Sequence, residues 1–167
     1  MTRAHVALGS NLGDRMANLD AAVRALDADE LSHVMAVSKV YETTPVGGPA
    51  QGPYLNAVAV LETDRDPHEL LRLLLAIEAL LGRDRGAGAE RWGPRTADLD
   101  LVLYDGPPVH DADLEVPHPR ARERGFVLVP LVDADPLAAF PDGETAFEAL
   151  ARLGPQRGIV AVGHLEV

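Results

Sequence analysis

Cysteine is absent from this 167-residue chain. That excludes disulfides, thiolate zinc sites and a cysteine nucleophile. Lysine occurs once, as Lys39, so the GxxxxGK[ST] phosphate loop is missing and a P-loop nucleotide site is excluded. No apolar run approaches the ~20 residues of a membrane span. The chain opens directly into strand-like sequence, Ala4 to Leu8, without the basic, apolar and small-residue zones of a signal peptide. Cytoplasmic residence and no membrane partner are therefore expected. Positive charge is also short: the formal net charge is −11, which argues against a polyanion-binding surface, so no nucleic-acid partner is expected either.

What basic charge there is lies unevenly. Seven of the 14 arginines fall within residues 83 to 124 (Arg83, Arg85, Arg91, Arg95, Arg120, Arg122 and Arg124). An acidic chain with one arginine-rich segment points to a local anion site rather than a solvated basic face. Hydrophobic residues at 47% and charged residues at 25% are ordinary for a globular domain. The length suits a single domain, 1–167, with its own core.

Residues 4 to 9 read as a strand stopped by Gly9-Ser10-Asn11-Leu12-Gly13, for which a plain turn is the better reading than a phosphate cradle. Residues 14 to 27 read as an amphipathic helix, with Leu19, Ala22, Val23 and Leu26 at helical spacing. Residues 33 to 43 read as one strand rich in β-branched and aromatic residues, and 54 to 62 as the next. Asp66-Pro67-His68-Glu69 gives a helix start with Asp66 as N-cap and Glu69 closing a capping box. That helix carries Leu70, Leu71, Leu74, Ile77 and Leu81 and ends at Gly82. A Gly/Arg-rich loop over 83–95 precedes a strand from Ala97 to Tyr104. The order βαββαβ is the split βαβ, ferredoxin-like arrangement: an antiparallel sheet with helices on one face and the other face free. Residues 105 to 167 add turns, a short apolar run at Phe126 to Leu131, a helix near 144 to 152 and a terminal strand at 159 to 162.

The run Arg91-Trp92-Gly93-Pro94-Arg95-Thr96-Ala97-Asp98-Leu99-Asp100 carries the most chemistry. Side chains two apart on a strand share a face, ~6.6 Å apart along the chain. Asp98 and Asp100 therefore converge, while Leu99, Leu101 and Leu103 turn the other way into a core. A D-x-D pair alone can be no more than solvated edge carboxylates. Opening an apolar strand behind two arginines, it fits Mg²⁺ beside phosphate oxygens. The two carboxylates also repel, a cost that a bound cation removes.

Glu78 shares the apolar stripe of its helix, so it either reaches solvent at the stripe's edge or holds a specific partner: a ligand hydroxyl, or an arginine at the helix end such as Arg83. Tyr54 and Asn56 share one face of their strand, opposite Leu55, Ala57 and Ala59. An aromatic plane beside an amide suits a flat heteroaromatic ring with amide-like edges, and Phe126 offers a second plane. The plainer alternative is a tyrosine covering the sheet and an asparagine closing a turn. His118, between Pro117 and Pro119, is presented on stiff backbone beside Arg120, Arg122 and Arg124, where phosphate contact fits better than for a lone histidine.

Together these residues resemble the 6-hydroxymethyl-7,8-dihydropterin pyrophosphokinase family, an early step of folate biosynthesis. The resemblance rests on the tryptophan-to-DxD phrase above, on Ala7-Leu8-Gly9-Ser10-Asn11-Leu12-Gly13-Asp14, on Tyr54-Leu55-Asn56-Ala57-Val58, on Glu78 with Gly82-Arg83-x-Arg85, and on Val116-Pro117-His118-Pro119 through Arg124-Gly125-Phe126. It implies a ferredoxin-like core in a three-layer α/β/α domain, and transfer of pyrophosphate from ATP to the pterin's hydroxymethyl group with release of AMP. By this resemblance Asp98 and Asp100 hold two Mg²⁺ ions, Tyr54 and Phe126 sandwich the pterin, Asn56 reads its edge, and Thr43 and Val46 line its pocket. Glu78, Arg85, Trp92, Arg95, His118 and Arg124 match ATP-site positions, and Arg83 and Arg95 the arginines nearest the chemistry. A monomer is expected. Two other classes remain open: a metal-dependent phosphohydrolase using the same aspartates, and a non-catalytic ferredoxin-like ligand-binding module.

Overall fold

A computed structural model describes residues 1–44, 53–82 and 96–165. The elements in order are β1 (Thr2–Ser10), α1 (Arg15–Asp27), β2 (Ser32–Val37), β3 (Lys39–Thr43), β4 (Tyr54–Thr63), α2 (Pro67–Gly82), β5 (Asp98–Tyr104), β6 (Val109–His110), β7 (Glu115–Val116), α3 (Gly125–Ala134), α4 (Ala146–Leu153) and β8 (Ile159–His164). The main sheet runs β5-β1-β4-β3-β8, with β2 also pairing β4, and each of these pairings is antiparallel. The βαββαβ order read from sequence is present through β5, with one change: residues 32–43 form two strands rather than one.

The break is Ser38. Its Oγ accepts from the Val58 N–H at 2.9 Å and donates to the Lys39 carbonyl at 2.7 Å. Its own N–H still bonds the Val58 carbonyl at 2.9 Å. The buried hydroxyl therefore stands in for ladder groups, and the strand bends without leaving a buried polar atom unpaired.

Alternation along the strands builds two cores. Ala4, Val6 and Leu8 of β1, Leu55, Ala57, Ala59 and Leu61 of β4, and Leu99 and Leu101 of β5 pack against Leu19, Val23 and Leu26 of α1 and Leu70, Leu74 and Ile77 of α2. The helix starts read from sequence hold. The Asp66 N–H donates to Glu69 Oε1 at 3.1 Å and the Glu69 N–H to Asp66 Oδ1 at 2.8 Å, the reciprocal pair of a capping box. Asp14 caps α1 through the Ala17 N–H.

The opposite face is not left free. Val58, Val102 and Leu103 pack there against Val127, Leu128 and Leu131 of α3 and Ala146 and Ala149 of α4. Leu103 thus lies on the other side from its expected partners Leu99 and Leu101. A register irregularity where β1 pairs β5, between His5 and Val6, shifts the alternation. The apolar run at 126–131 is a helix, α3, with Pro130 inside it. The result is α1 and α2, then the sheet, then α3 and α4, the three-layer arrangement that the resemblance implies.

One polar contact joins β1 to the end of α3. His5 Nε2 lies 2.8 Å from Oδ2 of Asp135, the residue capping α3, and an Arg3 Nη1 lies 3.5 Å from the same oxygen. Burial pushes the His5 pKa below its ordinary value, outweighing the Asp135 hydrogen bond. His5 Nδ1 is buried and has no partner among the described residues, so charging the ring would add an unsatisfied N–H.

The unfolded chain, whose histidines titrate near pH ~6.5, binds more protons than the native state just below that value, so stability falls as pH drops through it. His5→Gln should flatten this dependence between about pH 7 and pH 5. Urea unfolding midpoints of the two proteins across that range measure it; parallel pH slopes would show that His5 does not carry the effect.

Candidate functional site

Between the second helical layer and the β5 end of the sheet, the face opposite α1 and α2 opens into a cavity of about 630 Å³. Its floor follows from the sheet register. Asp98 pairs with Gly9, Gly9 with Asn56 and Asn56 with Tyr41 across β5, β1, β4 and β3; Thr43 pairs with Tyr54 on one side and Ile159 of β8 on the other. Asp98 and Asp100 at one end, and Thr43, Tyr54 and Asn56 further along, all line this single space, and Arg124 and Phe126 close it from the start of α3.

The carboxylate end is built by an edge strand and a helix. Asp98 and Asp100 point away from the core that takes Leu99 and Leu101. Between them, the N–H of Leu99 donates to Glu78 Oε2 at 2.8 Å. Among the described contacts Glu78 thus holds the backbone of the D-x-D tripeptide, while Arg83, the arginine partner considered from sequence, lies outside the described residues. Two carboxylates presented side by side on one strand face offer hard oxygen donors of the kind Mg²⁺ takes.

His118 follows the cis Val116–Pro117 bond, and its N–H donates to the Val102 carbonyl at 3.0 Å, which fixes it beside β5. Burial lowers its pKa, against the pull of the Asp100 carboxylate. The neutral ring accepts from the Arg120 N–H through Nδ1 at 3.2 Å.

The other end of the cavity combines aromatic and amide groups. Asn56 is 8% exposed and its Nδ2 donates to Thr43 Oγ1 at 2.8 Å. A Cβ on Gly9 would lie 3.4 Å from Asn56 Oδ1 and 3.8 Å from Tyr54 Cδ1, so glycine there keeps β1 close beneath both side chains. Phe126 is 37% exposed, and the Arg124 guanidinium sits 5.6 Å from its ring centroid. The tyrosine, amide and phenylalanine read separately from sequence are thus brought to one cavity.

Val46, Arg83, Arg85, Trp92 and Arg95 lie outside the described residues. Glu78 and His118 border β5 rather than lining the cavity among the described residues. The turn after β1 is tied down by Asn18, whose Nδ2 donates to the Leu12 carbonyl at 2.8 Å and to Ser10 Oγ at 3.3 Å, with Gly13 at φ +69°. Sequence reasoning missed Thr44, Gln156, Arg157 and Ile159, all of which line the cavity. No spacing signal marks them, because the terminal strand meets β3 only in the tertiary fold.

A family model described as 7,8-dihydro-6-hydroxymethylpterin-pyrophosphokinase matches residues 5–136. Relatives named 2-amino-4-hydroxy-6-hydroxymethyldihydropteridine pyrophosphokinase include one from Methylorubrum extorquens, 47% identical over 93% of this chain and 96% of its own length. Another, from Bacillus subtilis, is 47% identical over 78% of this chain and 76% of its own. A third, from Pseudomonas aeruginosa, is 41% identical over 89% and 90%. Among solved structures, an HPPK-DHPS protein in complex with substrates superimposes with a TM-score of 0.70 at 12% identity, over 90% of this chain. A Plasmodium falciparum HPPK-DHPS triple mutant does so with a TM-score of 0.70 at 14%. The chain spans 43% and 44% of those two solved chains, and the likeness to them is one of fold.

Leu99 is 4% exposed, so removing the acceptor on Glu78 strands a buried N–H. Glu78→Ala should cost about 1–3 kcal/mol of unfolding free energy, and Glu78→Gln, which keeps an acceptor oxygen, clearly less. Urea denaturation reads both; equal losses would show that the hydrogen bond to Leu99 is not what Glu78 supplies.

Proposed function

The chain belongs to the 7,8-dihydro-6-hydroxymethylpterin-pyrophosphokinase family, whose reaction moves pyrophosphate from ATP to the pterin's hydroxymethyl group in folate biosynthesis, and on that premise we propose how its residues divide the work. One observation carries the reading: the carboxylate pair Asp98 and Asp100 opens onto the same cavity as Tyr54, Asn56 and Phe126. A phosphate-and-metal half and a heteroaromatic half in one space are what a two-substrate transfer needs.

Asp98 and Asp100 would hold two Mg²⁺ ions. When bound, these supply charge neutralisation along the triphosphate and acidify the attacking alcohol. The remaining work belongs to the chain. Tyr54 and Phe126 stack the pterin, while Asn56 reads its edge and Thr43 and Val46 line the pocket. The hydroxymethyl group is thereby aimed at the β-phosphorus of ATP, and orientation supplies much of the rate. Glu78 holds the D-x-D backbone in place at the nucleotide side. Arg85, Trp92, His118 and Arg124 bind ATP. Arg83 and Arg95 neutralise the charge that develops on the transferred group.

The protein works as a monomeric single domain, 1–167, in the cytoplasm. Among the described residues no helix is long and apolar enough to cross a membrane.

Incubating the protein with Mg²⁺ and ATP, with and without hydroxymethyl dihydropterin, tests the reading. AMP and a pyrophosphorylated pterin should appear together, and only when both substrates are present; phosphate release without pterin would identify a hydrolase instead. Asp98→Ala or Asp100→Ala should lower kcat by at least about a thousandfold, several kcal/mol of transition-state stabilisation, with an unchanged unfolding midpoint. Near-normal turnover in either would remove the metal assignment. Arg83→Ala should slow the chemical step in single-turnover kinetics while the pterin Kd stays nearly constant; an unaltered chemical step would make Arg83 a bystander.

A further inference from the structure

The cavity has a wall that neither the sequence pattern nor the family match accounts for. Gln156 and Arg157 line it, and both lie beyond residues 5–136, the stretch matched by the family model. They sit on the segment that joins α4 to β8, between Gly154 at φ +86° and Gly158 at φ +82°, two left-handed positions that set its course. The segment is anchored at both sides of the site. The Gly158 carbonyl accepts from the Thr44 N–H at 3.2 Å, and Ile159 pairs with Thr43. Gln156 Nε2 donates to the Gly154 carbonyl at 3.0 Å, which fixes its amide against α3. A Cβ built on Gly125 would fall 1.9 Å from Gln156 Oε1, so this amide occupies the space a side chain at 125 would need. Gln156 thus packs against the residue that precedes Phe126.

The sheet order decides what this wall can touch. β5 carries Asp98 and Asp100 at one edge and β8 is the opposite edge, four strand spacings away, about 19 Å. The carboxylate edge takes the phosphate chain, so the β8 edge faces the other end of the ligand pair. Arg157 is exposed and makes no hydrogen bond or ion pair with another described residue. At this end of the cavity, Asn56 on the central strand already spends an amide N–H on Thr43. A guanidinium at the ring end supplies what that end lacks: a planar cation that stacks on a heteroaromatic face and donates from its edge to ring acceptors.

Building on the two-substrate reading above, we propose that Arg157 contacts the heteroaromatic ring of the bound pterin and that Gln156 is a positioning residue for Phe126, so that the C-terminal segment completes the pterin half of the site. Arg157 is then a pterin residue in a chain whose other site arginines serve ATP.

The test measures binding of 6-hydroxymethylpterin and of a non-hydrolysable ATP analogue with Mg²⁺ to the full-length protein by fluorescence titration. Arg157→Ala should raise the pterin Kd about tenfold while the nucleotide Kd stays within about twofold. Arg157→Lys should not restore it, because an ammonium keeps the charge without the planar fork. A pterin Kd within about twofold of wild type, an equal loss for the nucleotide, or full rescue by lysine would each overturn the assignment of Arg157 to the ring.

Gln156→Ala and Gly125→Ala should each weaken pterin binding several-fold, and the double variant should be no worse than the weaker single, since both act on one contact. Additive losses, or a rise in the nucleotide Kd alone, would overturn the positioning role. Tyr54→Ala serves as the control for the parent reading. If wild type binds pterin and Tyr54→Ala does not, a silent Arg157→Ala counts against Arg157 alone. If wild type binds no pterin, the two-substrate reading falls and this inference with it.

Discussion

Three carboxylates crowd one tripeptide of the edge strand. Asp98 and Asp100 flank Leu99 on the exposed face, and Glu78 accepts the Leu99 N–H from the side. Glu78 stands in the last turns of α2, a helix end that carries the negative pole of the dipole and has no basic residue in its last turn. The concentration of negative charge is unfavourable unless cations meet it. The sequence supplies Arg83 and Arg85 just after Gly82 and Arg95 shortly before Asp98. That electrostatic demand fits the arginine-rich segment of an otherwise acidic chain.

The opposite end of the cavity answers to a different requirement, shape. Gly9 lets β1 pass close under Asn56 and Tyr54, and Gly125 leaves room for Gln156. Phe126 stands at the mouth with Arg124 over its ring. Between the two ends the floor is formed by neighbouring strands held in register by the buried alternation of Leu8, Ala57 and Leu99 on their other face. A one-residue slip in any of these pairings would turn a site side chain into the core. The apolar packing against α1 and α2 is thus what keeps the polar face aligned.

Legibility in the sequence followed how local each determinant was. The N-cap at Asp66, the α1 and α2 stripes and the same-face pairs Asp98/Asp100 and Tyr54/Asn56 depend on spacing along the chain, and all appear as read. The bend at Ser38 was hidden because it rests on the Val58 N–H, twenty residues away. The helix at 125–134 was hidden because a short, continuously apolar run has no period to distinguish it, and Pro130 argues against a helix locally. Leu103 was placed on the wrong face because the irregularity opposite it belongs to the pairing with β1.

By itself the sequence determined the βαββαβ order, the carboxylate pair, the aromatic–amide pair and, through their combination, the reaction class, since each is a matter of residue type at short spacing. Only the tertiary structure decided which groups share a cavity, that Glu78 holds the strand between the two aspartates, and that the segment leading into the terminal strand supplies Gln156 and Arg157 to a site most of whose other residues lie earlier in the chain. The reason is the same in each case. Strand pairing and helix docking bring together residues that sequence separation leaves independent, and no periodicity along the chain records which edge β8 will join.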